Sequence, residues 1–274
     1  MGARGFVKFA GSVAVVTGGS SGIGKGIAEA LISQGSNVII CARDGAKVAK
    51  VAGEIGAFPE QVDVADQESV ERLAKRVLDR FGKINILCNN AGVGPAAQVR
   101  DLSISDWRWM LGVNLWGVIH GITSILPHIL SNPDGGHVVN TASLAALWPV
   151  PGLGAYSVAK SGVVALTETL HLELNELSDR VGATAFCPGP VRTDIGSSLR
   201  GRRQQGASAL VDMRLEDRFP PDMFLEPRHC GDLVVDAIKH NRLYLVTHPS
   251  LAAKATGRWH ALMAAFKRAQ TLEK

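Results

Sequence analysis

Short, continuously apolar runs alternate along this chain with stretches in which apolar residues recur every three or four positions. The runs predict seven strands, near residues 12–17, 37–42, 57–62, 84–88, 137–142, 181–187 and 243–247. Continuous rather than alternating apolar character marks strands covered on both faces. The clearest helix follows Asp66, where Val70, Leu73, Val77, Leu78 and Phe81 share one helical face; Asp66 is a candidate N-cap and Gly82 a stop. Two longer helices are expected near residues 105–130 and 156–177. Alternation of strand and helix predicts an α/β fold, a doubly wound parallel sheet of about seven strands with helices on both faces. Ligands of such sheets sit at the carboxyl ends of the strands. Neither repeats nor a linker interrupt the pattern, so residues 1–274 read as one domain, with a variable segment at about 191–227.

The first strand, Val13-Ala14-Val15-Val16, leads into Thr17-Gly18-Gly19-Ser20-Ser21-Gly22-Ile23-Gly24, and a helical pattern follows at once. At Gly18, Gly22 and Gly24 the absence of Cβ atoms lets a pyrophosphate approach backbone amides and the positive end of a helix. Strand, glycine turn, helix and second strand together read as a dinucleotide site. Farther along, Tyr156 and Lys160 stand four positions apart at the start of a predicted helix, hence on one face. An ammonium beside a phenol favours the phenolate, and a tyrosine able to exchange its proton near neutral pH is an acid/base catalyst. From a reference near 10, that requires roughly 4 kcal/mol of preferential phenolate stabilisation.

With these features the sequence resembles the short-chain dehydrogenase/reductase family. The loop at residues 17–24 matches its TGxxxGIG pattern, Asn89-Asn90-Ala91-Gly92 its NNAG motif, and Asn114, Ser143, Tyr156 and Lys160 its catalytic tetrad. The stretch Pro188-Gly189-Pro190-Val191-Arg192-Thr193 matches its turn after the sixth strand. The resemblance implies a Rossmann-type fold and hydride transfer between nicotinamide and a carbonyl or secondary alcohol. It also implies roles for single residues. Tyr156 exchanges the proton, Lys160 holds the nicotinamide ribose, Ser143 bonds the substrate oxygen, and Asn114 bends its helix and holds a relay water. Gly18, Ser20, Ser21, Gly22, Ile23 and Gly24 face the pyrophosphate; Asp63 and Val64 meet adenine; Asn90, Ala91 and Gly92 wall the adenosine site. Pro188, Gly189, Val191 and Thr193 lie by the nicotinamide. Homodimers or homotetramers built on the two long helices are the implied partners, with Trp107, Trp109 and Trp116 offering apolar surface on one of them.

Cofactor choice is read at the end of the second strand. NAD sites of this architecture carry an acid there, whereas NADP sites replace it and add a cation. Here Ala42 stands where the acid is expected and Arg43 follows, so NADP is expected over NAD; Asp44 either reaches the ribose or caps the next helix.

Composition adds mainly exclusions. The net charge is +4, without a contiguous basic tract, which speaks against nucleic-acid binding. Cys41, Cys88, Cys187 and Cys230 form no C-x-x-C and read as reduced core thiols; the eight histidines form no metal pair and no triad with Ser143. Uninterrupted apolar stretches are too short for a membrane span, and residues 1–6 carry neither a secretory core nor a myristoylation serine, so a cytoplasmic location is expected.

Substrate selection is the least legible feature. Leu147, Trp148, Pro149, Val150, Pro151 and Leu153, with Phe219, Met223, Phe224 and Leu225, are candidates for an apolar pocket or for plain core. Arg200, Arg202 and Arg203 fall on a segment that reads as a lid. The expected substrate is a lipophilic ketone or 3-oxoacyl compound. Competing readings are an NAD-dependent alcohol dehydrogenase, a non-catalytic nucleotide-binding regulator, and a redox-neutral isomerase, which the short remainder after Thr193 disfavours.

Overall fold

A computed structural model describes residues 7–202 and 207–272. The readings made on residues 1–6 and on Arg203 fall outside the described residues. Seven strands, β1 (Val13–Thr17), β2 (Asn37–Ala42), β3 (Phe58–Gln61), β4 (Ile86–Asn89), β5 (Gly136–Thr141), β6 (Val181–Cys187) and β7 (Tyr244–Val246), form one sheet in the order β3-β2-β1-β4-β5-β6-β7. Every pairing is parallel. The chain winds outward from β1 to β3 and then crosses back to β4 on the other side of β1. That reversal opens a crevice above the carboxyl ends of β1 and β4.

Each face of the sheet is covered by helices. On one, α1 (Gly22–Ser33), α2 (Gly45–Ile55) and α7 (Pro227–Lys239) bury Ile27, Leu31, Val48, Val234 and Ile238 against Val16, Ile40 and Phe186. On the other, α3 (Gln67–Phe81), α5 (Gly117–Ser131) and α6 (Gly154–Leu177) bury Leu73, Val77, Ile125, Ile129 and Leu170 against Val15, Leu87 and Val138. The predicted limits of α3 hold: the Asp66 carboxylate accepts from the Glu68 amide at 3.1 Å, and Gly82 closes the helix at φ 73°.

The long helix expected at 105–130 is three joined pieces. Helix α4 (Ile104–Leu111) passes through a π-turn, Gly112–Trp116, into α5. By length and composition this Ile104–Ser131 segment is apolar enough to cross a membrane. Here its Met110, Ile125 and Ile129 are fully buried in the core, as are its polar residues Asp106 and Asn114. Four cysteines are free and buried, and burial pushes the thiols of Cys41, Cys88, Cys187 and Cys230 up to about 12. A final helix, α8 (Ala252–Leu272), was not signalled by the periodicity that located the core elements.

Candidate active site

A cavity of about 1450 Å³ occupies the crevice. Pockets for a single drug-sized molecule are roughly 300–1000 Å³, so this one has room for an elongated ligand and a second, smaller one. Its wall contains Gly18, Ser20, Ser21, Gly22 and Ile23 from the first turn, with Arg43, Asp63 and Val64 beyond β2 and β3. Asn90, Ala91 and Gly92 after β4, Tyr156 and Lys160 on α6, and Pro188 and Thr193 after β6 complete the predicted set that lines it.

The glycine loop is fixed from beneath. Thr17 Oγ1 accepts from the amides of Asn90 and Ala91, at 2.8 and 3.0 Å, and the Asn90 side chain donates to the Thr17 carbonyl at 3.0 Å. Gly18 has φ 67°, and a Cβ there would lie 2.9 Å from Ala91 Cα. The loop therefore runs flush against the end of β4 and leaves its upper side for a ligand. Gly24 is buried beneath the wall, where a Cβ would strike the Gly18 carbonyl.

At the end of β2 the Arg43 guanidinium donates to the Gly201 carbonyl at 2.8 Å, which leaves its other N–H groups for a ligand anion. The Asp44 carboxylate accepts from the Lys47 amide at 2.9 Å and so caps α2. Of its two anticipated roles, capping is the one the geometry displays. Asp63 accepts from the Ala65 amide at 3.0 Å, while its residue stays exposed on the cavity wall.

Lys160 is 2 % exposed; its ammonium donates to the Thr141 carbonyl at 2.7 Å and lies 5.8 Å from the Tyr156 ring centre. Burial pulls this amine down to about 8. The same burial pushes the Tyr156 phenol up to about 12, opposed by a hydrogen bond with the Ser143 side chain and reinforced by Cys187. Burial thus opposes the acidified phenol that the Tyr156–Lys160 spacing predicts. Desolvation dominates the phenol, and the Lys160 ammonium donates to the Thr141 carbonyl.

Asn114 stands behind the wall. Its Oδ1 accepts from the Val93 amide at 3.0 Å, and its Nδ2 donates to the carbonyls of Val93 at 2.9 Å and Met110 at 3.0 Å. Gly189 and Val191 also stand back: Gly189 N–H donates to Thr247 Oγ1 at 3.0 Å, and Val191 bridges to Leu225 within the core.

The apolar residues proposed for the substrate wall do not line the cavity. Leu147 and Trp148 pack with Leu251 on a core cluster, and Phe224 is buried. Their places are taken by Trp109 and Val113 from α4 and the π-turn, and by Ile195 and Ser198 from the segment after β6. Arg202 stacks over Trp109 at 5.2 Å and pairs with the fully buried Asp106 at 2.5 Å, pinning that segment to α4. Trp109 was expected to offer apolar surface to a subunit partner, and Arg202 to lie on a lid segment. The signal that could have linked them was Asp106, an acid on the otherwise apolar face of α4.

These residues fit a pyridine dinucleotide: a backbone cradle at the start of α1, a cation at the end of β2, and a buried lysine beside a tyrosine at the far end. The short chain dehydrogenase family model matches residues 12–204. A protein of Mycobacterium tuberculosis named "Probable oxidoreductase EphD" is 36% identical over 242 residues, which cover 85% of this chain; the chain spans only 40% of the length of EphD. A short chain dehydrogenase/reductase from Burkholderia phymatum, solved in complex with NAD, superposes with a TM-score of 0.88 at 33% identity, covering 94% of this chain and 96% of that one. A 3-ketoacyl-(acyl-carrier-protein) reductase from Brucella melitensis, complexed with NADH, gives a TM-score of 0.77 at 27% identity over 87% of this chain and 97% of its own. The motifs, the sheet order and these likenesses agree: the chain belongs to the short-chain dehydrogenase family of NAD(P)-dependent oxidoreductases.

Proposed function

We propose that this protein is an NADP-dependent reductase of ketones, or the dehydrogenase of the corresponding secondary alcohols, with Tyr156 as its acid/base. The observation that carries the reading is Tyr156 and Lys160 side by side on the cavity wall, with the Ser143 side chain against the Tyr156 phenol. Bound nicotinamide supplies or accepts the hydride in such chemistry. The Tyr156 phenol, protonated in the buried site, donates to the carbonyl oxygen as negative charge builds there. Ser143 holds that oxygen with a second hydrogen bond. Lys160, already drawn toward neutrality by burial, replaces the lost proton from the side of Thr141, and Asn114 keeps the adjoining backbone in place.

NADP is favoured over NAD by the side chains near Arg43. Ala42 offers no carboxylate to ribose hydroxyls, Asp44 spends its own on the α2 cap, and Arg43 and Lys47 both face the cavity. A 2′-phosphate would find two cations there. The relatives solved with NAD and NADH make this the point to test. Arg43→Ala is expected to weaken NADPH at least tenfold more than NADH in a titration of intrinsic fluorescence; equal losses would refute the assignment of Arg43. A lipophilic ketone or 3-oxoacyl compound fits the Trp109, Val113 and Ile195 wall. Turnover of such ketones excludes a purely regulatory role, since a regulator would bind nucleotide without consuming it.

A further inference from the structure

Helix α8 combines cations without anions and an exposed apolar face. The sequence holds 29 Lys and Arg against 25 Asp and Glu. Four of those cations, Lys254, Arg258, Lys267 and Arg268, and none of the anions, lie in Ala252–Leu272. The rest of the chain is therefore balanced, and the entire formal excess of +4 sits on one helix. The same helix exposes Trp259 (60 %), Leu262 (46 %), Met263 (38 %) and Phe266 (64 %). Their spacing of i, i+3, i+4 and i+7 places them on a single face. At about 100° per residue, Arg258 and Lys267 fall on the two edges of that stripe, with Lys254 and Arg268 toward the opposite side.

Every residue from Thr256 to Gln270 is exposed. Near its start the helix is anchored where Leu251 packs against the Trp148 cluster. Arg258 donates to the Ala146 carbonyl at 2.9 Å and Lys254 lies 5.9 Å from the Trp148 ring centre. Ala146 and Trp148 belong to the segment that follows Ser143, so the root of α8 touches the chain next to the reacting end of the cavity.

A stripe of one tryptophan, one phenylalanine and two long aliphatic residues between cationic edges matches an interface with apolar depth and negative surface charge. We propose that α8 is a peripheral docking helix for an anionic lipid surface, lying in the headgroup plane with Trp259 and Phe266 inserted. Charge decides among the possible occupants. A second copy packed α8 on α8 would bring four cations against four, and a nucleic-acid backbone has no use for an exposed Leu-Met-Phe face. Anionic lipid meets both halves of the helix at once.

The test is co-sedimentation of the full-length protein with vesicles of phosphatidylcholine alone and with about one third phosphatidylglycerol. The wild type is expected to partition at least tenfold better onto the anionic vesicles and to be released by salt near 1 M, where charge is screened within about 3 Å. Trp259→Ser with Phe266→Ser, and separately Lys267→Glu with Arg268→Glu, are each expected to lower partition tenfold or more. Because these positions are exposed and outside the cavity, circular dichroism and turnover of a water-soluble ketone are expected to stay at wild-type values. Three results would each overturn the proposal: no recovery of the wild type on anionic vesicles; equal recovery on both vesicle types; or dissociation of a dimer by the serine variant in sedimentation equilibrium without lipid binding. So would duplex DNA bound as tightly by the serine variant as by the wild type.

Discussion

Replacing Asn114 tests whether one buried amide holds the nucleotide side of the cavity in shape. In Asn114→Leu the branching of the side chain is kept, in a larger group, while three hydrogen bonds vanish, two to Val93 and one to the Met110 carbonyl. The Val93 N–H and C=O then lie unpaired beneath the wall, each at a cost of about 1–3 kcal/mol. Burial of the leucine returns about 1–2 kcal/mol, for a net loss of roughly 3 kcal/mol. In a chain of this size that corresponds to about 6–12 °C in Tm. Val93 follows Asn90-Ala91-Gly92, so pyridine-nucleotide affinity is expected to fall with stability. Asn114→Asp separates the clamp from mere packing. One oxygen still accepts from the Val93 amide, but the other now faces two carbonyls and is tolerated only when protonated. Its deficit relative to wild type is therefore expected to shrink as pH is lowered. Thermal unfolding across pH, with fluorescence titration of NADPH, measures both quantities. An Asn114→Leu protein with wild-type Tm and affinity, or an Asp variant whose deficit ignores pH, would refute the reasoning.

Two further predictions use groups away from the chemistry and within the glycine loop. His137 is fully buried in β5; its Nε2 meets Thr184 Oγ1 at 2.8 Å, and burial, helped by His171, pulls its pKa down to about 3. The unfolded chain binds a proton there near 6.5 while the folded one does not, so this contribution is complete above about pH 6.5 and disappears as pH falls toward 3, about 4–5 kcal/mol in all. Urea unfolding of His137→Gln is expected to depend less steeply on pH in that window; an unchanged slope would remove His137 from the account. Gly24→Ala places a methyl group against the Gly18 carbonyl and 2.5 Å from the Asn90 amide nitrogen, and overpacking of about 1–3 kcal/mol is expected to weaken NADPH ten- to a hundredfold by calorimetry. Gly53→Ala in α2, with nothing within 4 Å, is the control and is expected to stabilise by about 0.5–1 kcal/mol.

The inner strands were legible because β1, β2, β4, β5 and β6 are buried on both faces and so are largely apolar; Asn37–Ala42 and Val181–Cys187 coincide with their predicted limits. The cradle was legible because a glycine turn between strand and helix has few alternative uses. Three features were hidden. The π-turn around Asn114 is not marked by the apolar pattern, and only the family resemblance implied a bend there. The substrate wall is assembled from α4 and the segment after β6, joined by the Asp106–Arg202 ion pair across 96 positions, by Ser208 bonded to Asp106 and by Arg202 over Trp109. Helix α8 carries its large apolar residues on an exposed face, so core-facing periodicity does not mark it. Electrostatics near Tyr156 departed from expectation for a related reason: proximity in sequence fixed which groups meet, but desolvation decided the direction of the shift.

The central claim is that the Tyr156 hydroxyl carries the proton in a hydride-transfer reaction. Its most direct measurement is NADPH oxidation over a panel of lipophilic ketones by the wild type and by Tyr156→Phe, with cofactor binding followed in parallel. The account predicts a fall in kcat of about 10²–10⁴ with cofactor affinity within a few fold of wild type. Undiminished turnover by the phenylalanine variant would contradict it.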